Sequence, residues 1–340
     1  MNVAILVGRF GPGTGTGGVG YRLAGWLRDR GHRVEVWTGH ADVPLDGVPT
    51  HPLGSRWTAA SRVPEGFVRL ALDRVPGCEV ARASGGVHRA WLAVRGRWSP
   101  ADLVEAALDA RTARTSGVVI CNSLRAAGEV MAWHRVPAAR IRVVPTAVAP
   151  APVDPALRAA VRAGWGVPAG GRVALFVGHG FRRKNLPVAV AAFRGCAAPA
   201  DRLVVAGSDA HAERWLAPAR AALGERLVRA APSTAIGDWL AGADALLHPT
   251  LYDAASNTVL EAMAAGVAPI VSARDGAAER VPDRRLVVGD PTRVGCFTRA
   301  LRYAWGSPEV GRRCAVAVEG WPESRMADTV EDILRETTNG

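Results

Sequence analysis

One lysine, Lys184, stands in this 340-residue chain beside 41 arginines. It closes the run Arg182-Arg183-Lys184 between the apolar stretch Val173 to Val177 and another that begins at Leu186, which places it in a strand-to-helix loop. Cations disfavour a helix start, because that end already carries partial positive charge, so the run is poorly suited to solvent decoration. A compact ammonium beside a forked guanidinium does suit the oxygens of a diphosphate, with Arg183 ahead of Arg182. A second set lies in ALLHPTLYDAASNTVLEAMAAGVAPIVS, Ala245 to Ser272. Its loop from Pro249 to Asn257 opens onto a helix N-terminus, where unpaired N–H groups favour an anion. Ser256 or Asn257 is expected to cap that helix, and the small side chains of Ala254, Ala255 and Ser256 let a ligand reach the backbone. Asp253 and Glu261 flank this anion site, and carboxylates accept hydrogen bonds from vicinal sugar hydroxyls. Together these residues read as a nucleotide-sugar cradle.

The elements that must position these groups follow from apolar periodicity and turn residues. Around the cradle the pattern is strand (Ala245 to His248), loop, helix (Thr258 to Ala265), Gly266 as a stop, then strand (Ala268 to Val271). The chain opens as βαβ: Asn2 to Val7, a Gly-rich loop, a helix from about Val19 to Arg30, then Arg33 to Thr38. Phe67 to Leu72 reads as a short helix or buried strand, and Val118 to Cys121 and Ile141 to Val144 as strands around a helix that ends near His134. Gly15, Gly17 and Gly20 spell GxGxxG, yet the first lies well past the strand end. Trp37 and Thr38 stand where a ribose-binding acid is required, which argues against NAD.

The cradle resembles the acid, seven residues, Glu signature of the retaining GT-B glycosyltransferases of family 4, with Asp253 and Glu261 in the acidic positions, followed by AMAAG and an apolar strand. The resemblance covers nearly the whole chain and is strongest over residues 173 to 280. It implies an α/β GT-B fold, two Rossmann-like domains facing each other across a cleft. The expected parts are an N-terminal acceptor-side domain over residues 1 to 165 and a C-terminal nucleotide-sugar domain over 166 to 321, with a last helix at about 322 to 340 packing back on the first. The implied activity is transfer of a hexose, with retention, from a nucleoside diphosphate sugar, UDP-linked by expectation, to a hydroxyl of a glycan or glycolipid.

The resemblance also implies roles for residues. Lys184 and Arg183 contact the donor diphosphate, Glu261 the ribose, and Asp253 the transferred sugar. Gly17 and Gly18 lie near the donor phosphates, and Leu227 to Pro232 with Ile236 to Ala243 wrap the base. His211 and Arg214 are weaker candidates for a further basic contact. The VPG of DRVPGCEVARASGGVHRAWL resembles the lipopolysaccharide-core glucosyltransferase branch, and Arg82, Ser84, His88 and Arg89 are the polar candidates there, with His88 set at the transferred sugar or the acceptor. Two departures stand out: Asp253 replaces the usual Glu, and Thr146-Ala147 replaces Asn-Gly after Pro145. Donor neutralisation by protein cations implies no metal and no cofactor. Competing readings are a nucleotide-sugar epimerase, a secondary-metabolite glycosyltransferase and a non-catalytic nucleotide-sugar-binding subunit.

Composition bounds these readings. An apolar content of 49% and a mean hydropathy near zero describe globular domains. No uninterrupted apolar run of about 18 residues and no leader pattern is present, so a cytoplasmic protein is expected. Cys78, Cys121, Cys196, Cys296 and Cys314 lack metal-ligand or disulfide spacing. Residues 1 to 165 carry 21 Arg against 12 acids, while the remainder carries 21 basic residues against 19 acidic ones, so the basic surface is N-terminal. That asymmetry suits an anionic membrane face or acceptor. Nucleic acid is disfavoured, because no recognition module is present and aromatic content is 6%. Pro150, Pro152, Pro155 and Pro168 mark a composition shift at the expected domain junction.

Overall fold

A computed structural model describes residues 1–13, 15–149, 153–231 and 236–338. Pro150 and Pro152 of the expected junction, and Pro232 of the expected base-wrapping segment, lie outside the described residues. The chain divides into two compact units, Met1–Thr146 with Glu323–Gly340, and Ala147–Pro322.

Unit 1 is built on a seven-stranded sheet: β1 (Asn2–Phe10), β2 (Arg33–Ala41), β3 (Thr50–Pro52), β4 (Phe67–Ala71), β5 (Val80–Arg82), β6 (Val118–Cys121) and β7 (Ile141–Val143). Its order is β3-β2-β1-β4-β5-β6-β7 and every pair is parallel. Parallel strands need crossovers that cover both faces, which is why β1 runs as an unbroken buried stretch from Val3 to Val7. The strand order turns at β1 and β4, and the ambiguous segment at Phe67 is a strand. The helix Glu323–Glu336 belongs to this unit and buries Met326, Val330, Ile333 and Leu334. Its Glu331, 5% exposed, faces His32 Nε2 at 2.9 Å and accepts from Arg335 at 2.6 Å, and Asp328 accepts from Arg30 at 2.6 Å.

Unit 2 carries a six-stranded parallel sheet: β8 (Val173–His179), β9 (Arg202–Ser208), β10 (Leu227–Arg229), β11 (Ala245–His248), β12 (Ala268–Ser272) and β13 (Val287–Val288), in the order β10-β9-β8-β11-β12-β13. Its core gathers Val173 to Val177 of β8, Leu203 to Ala206 of β9, and Leu246 and Leu247 of β11 with Phe181, Phe193 and Phe297. The boundary expected at residue 165 falls instead between Thr146 and Ala147. The physical reason is the helix Pro155–Gly164, whose Arg158 and Arg162 both reach Asp244, Arg162 at 3.0 Å, while Asp244 also accepts from Val173 N at 2.6 Å. That anchor ties the helix to β8 and to the start of β11.

Candidate donor-sugar site

In unit 2 the strand order reverses between β8 and β11, and parallel sheets bind ligands beyond the carboxyl ends of strands at such a point. Two loops leave that point. The one after β8 turns at Gly180, whose φ of +80° a glycine adopts freely, into the single turn Phe181–Lys184. The one after β11 runs to the helix Asn257–Ala264. Arg183 O ties them together, accepting from Leu251 N at 2.9 Å and Thr250 Oγ1 at 3.1 Å.

This pairing sets charges against one another. Asp253 Oδ2 accepts from Lys184 Nζ at 2.6 Å and from Arg183 Nη1 at 2.9 Å. Lys184 is 6% exposed, and its ammonium also lies 3.3 Å from His248 Nε2. His248, wholly buried at the end of β11, reaches Asp275 Oδ2 at 3.2 Å. Asp275 Oδ1 in turn accepts from Ser256 N at 2.9 Å and Ala277 N at 2.8 Å. A chain of contacts results, inward from the half-buried Arg183: Asp253, Lys184, His248, Asp275, then the start of the helix Asn257–Ala264.

The titration of these groups follows from that order. Burial pushes the Asp253 carboxyl up, but Lys184 and Arg183 outweigh it and hold it well below the ordinary carboxylate range. His248 is pushed down, first by burial and then by Lys184, against the opposing pull of Asp275, so its imidazole is neutral. His179, after β8, is lowered by burial and then by Lys184 and Arg183, and its Nδ1 lies 2.8 Å from Ser208 Oγ.

One ligand atom each from His248, Asp253 and Asp275 lies within 4.8 Å of the others, a donor set that a metal ion could use. The Lys184 ammonium already lies beside two of the three, His248 and Asp253, and supplies positive charge to the Asp253 carboxylate.

Several sequence expectations change in detail. Ser256 occupies the cap position of the helix Asn257–Ala264 without a side-chain cap bond, and its own N–H is taken by Asp275 rather than presented to an anion. Asp253 holds the two cations instead of standing apart from them, because its chain is bridged to Asp275: Asp253 N donates to Arg274 O and Gly276 N donates to Asp253 O. Lys184, Arg183, Asp253, Ala254, Ala255, Ser256, Asn257 and Glu261 all fall in unit 2, on the loop after β8 or on the loop and helix after β11, and Arg182 stands beside Arg183. Among the described residues, His248 and Asp275 are site residues that the sequence reading missed. The signal was a histidine inside the otherwise apolar ALLH, and an aspartate at the same end of the neighbouring strand β12.

Gly17, Gly18 and His88 lie in unit 1. Gly17 and Gly18 sit in the first turn of the helix Gly15–Asp29, where a Cβ would meet Arg9 O at 2.6 Å and Gly13 O at 1.6 Å. Those glycines are needed for the chain's own close approach. His88 starts the helix His88–Arg95, and its Nε2 lies 3.2 Å from Asp102 Oδ1. Asp102 also accepts from Ser99 and Arg95, so the ring is anchored to the start of the next helix.

Residues 171–304 match the family model described as glycosyl transferases group 1. No curated protein matches the chain by sequence. Among solved structures, WaaG, a glycosyltransferase involved in lipopolysaccharide biosynthesis, is 18% identical with a TM-score of 0.83, covering 98% of this chain and 99% of its own. Sucrose-phosphate synthase from Thermosynechococcus elongatus is 18% identical with a TM-score of 0.81, covering 100% and 99%. HepE from Anabaena, in complex with UDP and glucose, is 15% identical with a TM-score of 0.76, covering 99% and 100%. The chain has the GT-B fold, and the stretch matched by the family model contains β8, β11 and the Lys184–Asp253 cluster.

Proposed function

We propose that the chain is a retaining glycosyltransferase that moves a hexose from a UDP-linked donor to a hydroxyl of a glycan or glycolipid. The observation that carries this reading is the Lys184, Arg183 and Asp253 cluster at the reversal point between β8 and β11. HepE, of the same fold, binds UDP and UDP-glucose, and supports UDP as the leaving group.

In this reading the donor diphosphate takes Lys184 and Arg183 from Asp253, so that cations held in advance meet the charge that grows as the anomeric C–O bond breaks. The acceptor oxygen forms its bond to the anomeric carbon on the same face, and its proton passes to the departing phosphate. Released from the cations, Asp253 accepts from hydroxyls of the transferred sugar, and Glu261 accepts from the ribose. His248 and Asp275 hold Lys184 and the helix start in place. No side-chain nucleophile is required.

The test is a thermal-shift panel with UDP, GDP, ADP, dTDP and NAD, followed by UDP-sugars and product analysis. A nucleoside diphosphate at about 100 times its dissociation constant adds about 2.7 kcal/mol, enough for a shift of several degrees. Stabilisation by NAD and by no diphosphate would overturn the reading. Sugar inversion without an acceptor would point to an epimerase, and UDP binding with neither transfer nor hydrolysis to a non-catalytic subunit.

One observation favours a lipid-linked acceptor and docking on an anionic membrane. Unit 1 carries a groove of about 690 Å³ in which exposed Trp57 and Leu103 stand among Arg89, Arg111 and Arg114. Apolar and aromatic side chains ringed by arginine suit the interface of anionic lipid. No helix among the described residues is long and apolar enough to cross a membrane. Sedimentation with phosphatidylglycerol vesicles that falls with salt and with Leu103→Glu is expected, and salt-insensitive or absent binding would refute it.

A further inference from the structure

Unit 1 buries a guanidinium that forms no ion pair among the described residues. Arg82, the last residue of β5, is 6% exposed. Its Nη1 donates to Ser84 Oγ at 3.0 Å and its Nη2 to Thr146 Oγ1 at 2.8 Å, both neutral hydroxyls. Among the described residues it makes no ion pair, and the charged arginine acting on it, Arg22, has the same sign. Burial pushes Arg82 down to about 10, with Cys121 opposing and Arg22 adding. A buried charge without a partner is costly, and a protein that keeps one gains when an anion arrives.

Space for that anion adjoins it. A cavity of about 90 Å³ is lined by Arg82, Ser84, Gly85, Gly86, Thr16 and Asp73, where a single water needs only about 10–15 Å³. It stands at the carboxyl ends of β4 and β5, beside the place where the order of the unit 1 sheet turns between β1 and β4. The acids near it are engaged: Asp73 accepts from Gly8 N at 2.5 Å, and Asp109 from His134 at 3.0 Å, with Arg74 at 3.4 Å. Arg82 spends two of its five N–H donors on the hydroxyls and keeps three.

We propose that this cavity is an oxyanion site in which Arg82 anchors a phosphate or carboxylate carried by the acceptor. The oxyanion site stands on the cavity and Arg82 alone, while its assignment to an acceptor rests on the glycosyltransferase reading. Ser84, whose hydroxyl already orients the guanidinium, shares the contact, and Gly85 and Gly86 let the group approach the backbone.

The test uses the full chain at constant ionic strength, titrated with inorganic phosphate, glucose 6-phosphate, glucuronate and glucose, with UDP as an independent probe of unit 2. Wild type is expected to gain thermal stability from the oxyanions and none from glucose, with glucose 6-phosphate or glucuronate binding more tightly than phosphate. Arg82→Met should keep or raise the ligand-free melting temperature, lose about tenfold or more in oxyanion affinity, and retain its response to UDP. Thr16→Glu places a carboxylate at the cavity, leaves Arg82 in place and should abolish the oxyanion response even if Arg82→Met fails to fold. Unchanged oxyanion affinity in either variant, or no response in wild type, would overturn the site. Equal affinity for free phosphate and for the sugar acids would overturn its assignment to the acceptor. A UDP response that survives any of these failures leaves the donor site standing, so the two readings fail separately.

Discussion

Replacing Asp253 by Asn removes one negative charge from between the buried Lys184 and the half-buried Arg183 and leaves the side chain's shape nearly unchanged. In the structure that carboxylate holds Lys184 at 2.6 Å and Arg183 at 2.9 Å. Removing one partner of a buried pair costs about 3–5 kcal/mol, and the amide oxygen, which still accepts a hydrogen bond, points to the lower end. The same carboxylate competes with a diphosphate for both cations. A charge-assisted bond contributes about 1.5–3 kcal/mol and about 1.4 kcal/mol is tenfold, so Asp253→Asn should bind pyrophosphate and UDP about 10 to 100 times more tightly while transferring sugar more slowly. The sign with pH follows from the depressed carboxyl. Its stabilisation is complete above the unfolded value of about 4 and is lost as pH falls through the folded one, so wild type and variant should converge in stability in acid. Calorimetry with pyrophosphate and urea melts at neutral pH and near pH 2 read these effects. A folded Asp253→Asn that binds pyrophosphate no better than wild type would refute the competition between carboxylate and phosphate.

Lys184→Ala should lower turnover by about 10²-fold or more with the fold retained, and Glu261→Ala should lose most turnover; steady-state kinetics beside circular dichroism checks both. His248 is held neutral in the fold and titrates near 6.5 when unfolded, so it draws stability down as pH falls below that value; His248→Gln should flatten this slope in urea melts between about pH 7 and 5. Gly311→Ala would place a Cβ 1.9 Å from Gly266 O, between the helix Glu309–Glu319 and the turn before β12, and should lower the melting temperature by several degrees while leaving unit 1 untouched. Native-state thiol titration should detect Cys196 and Cys296, half-buried, and miss Cys78, Cys121 and Cys314, whose thiols burial pushes up to about 12.

The longer strands were legible because parallel strands buried on two faces run as unbroken apolar stretches, as Val173 to Val177 and Val118 to Cys121 do, whereas β3, β5, β10 and β13, two or three residues each, carry no such run. Lys184 was legible through composition, since a lone lysine among arginines marks a place where a guanidinium does not serve. What stayed hidden depends on distances across the sheet. His248 and Asp275 lie far apart in the chain, and they meet because β11 and β12 are paired with His248 opposite Val271. The engagement of Ser256 stayed hidden for a related reason: its own N–H donates to Asp275, which comes from the next loop. The junction was misplaced because proline content marks irregular chain, whereas the unit boundary is set by what the helix Pro155–Gly164 packs on, and its anchor Asp244 is remote in sequence.

The chain path gives the two units different histories during synthesis. Unit 2 is one unbroken stretch, Ala147–Pro322, while unit 1 takes back Glu323–Gly340 after that stretch is complete. On a ribosome unit 2 can close its core while unit 1, which precedes it in the chain, still waits for the helix that covers the surface around His32. A nascent chain stalled before Glu323 would therefore expose apolar surface on its older half, and a chaperone that acts on this protein would find its client in the segment made first.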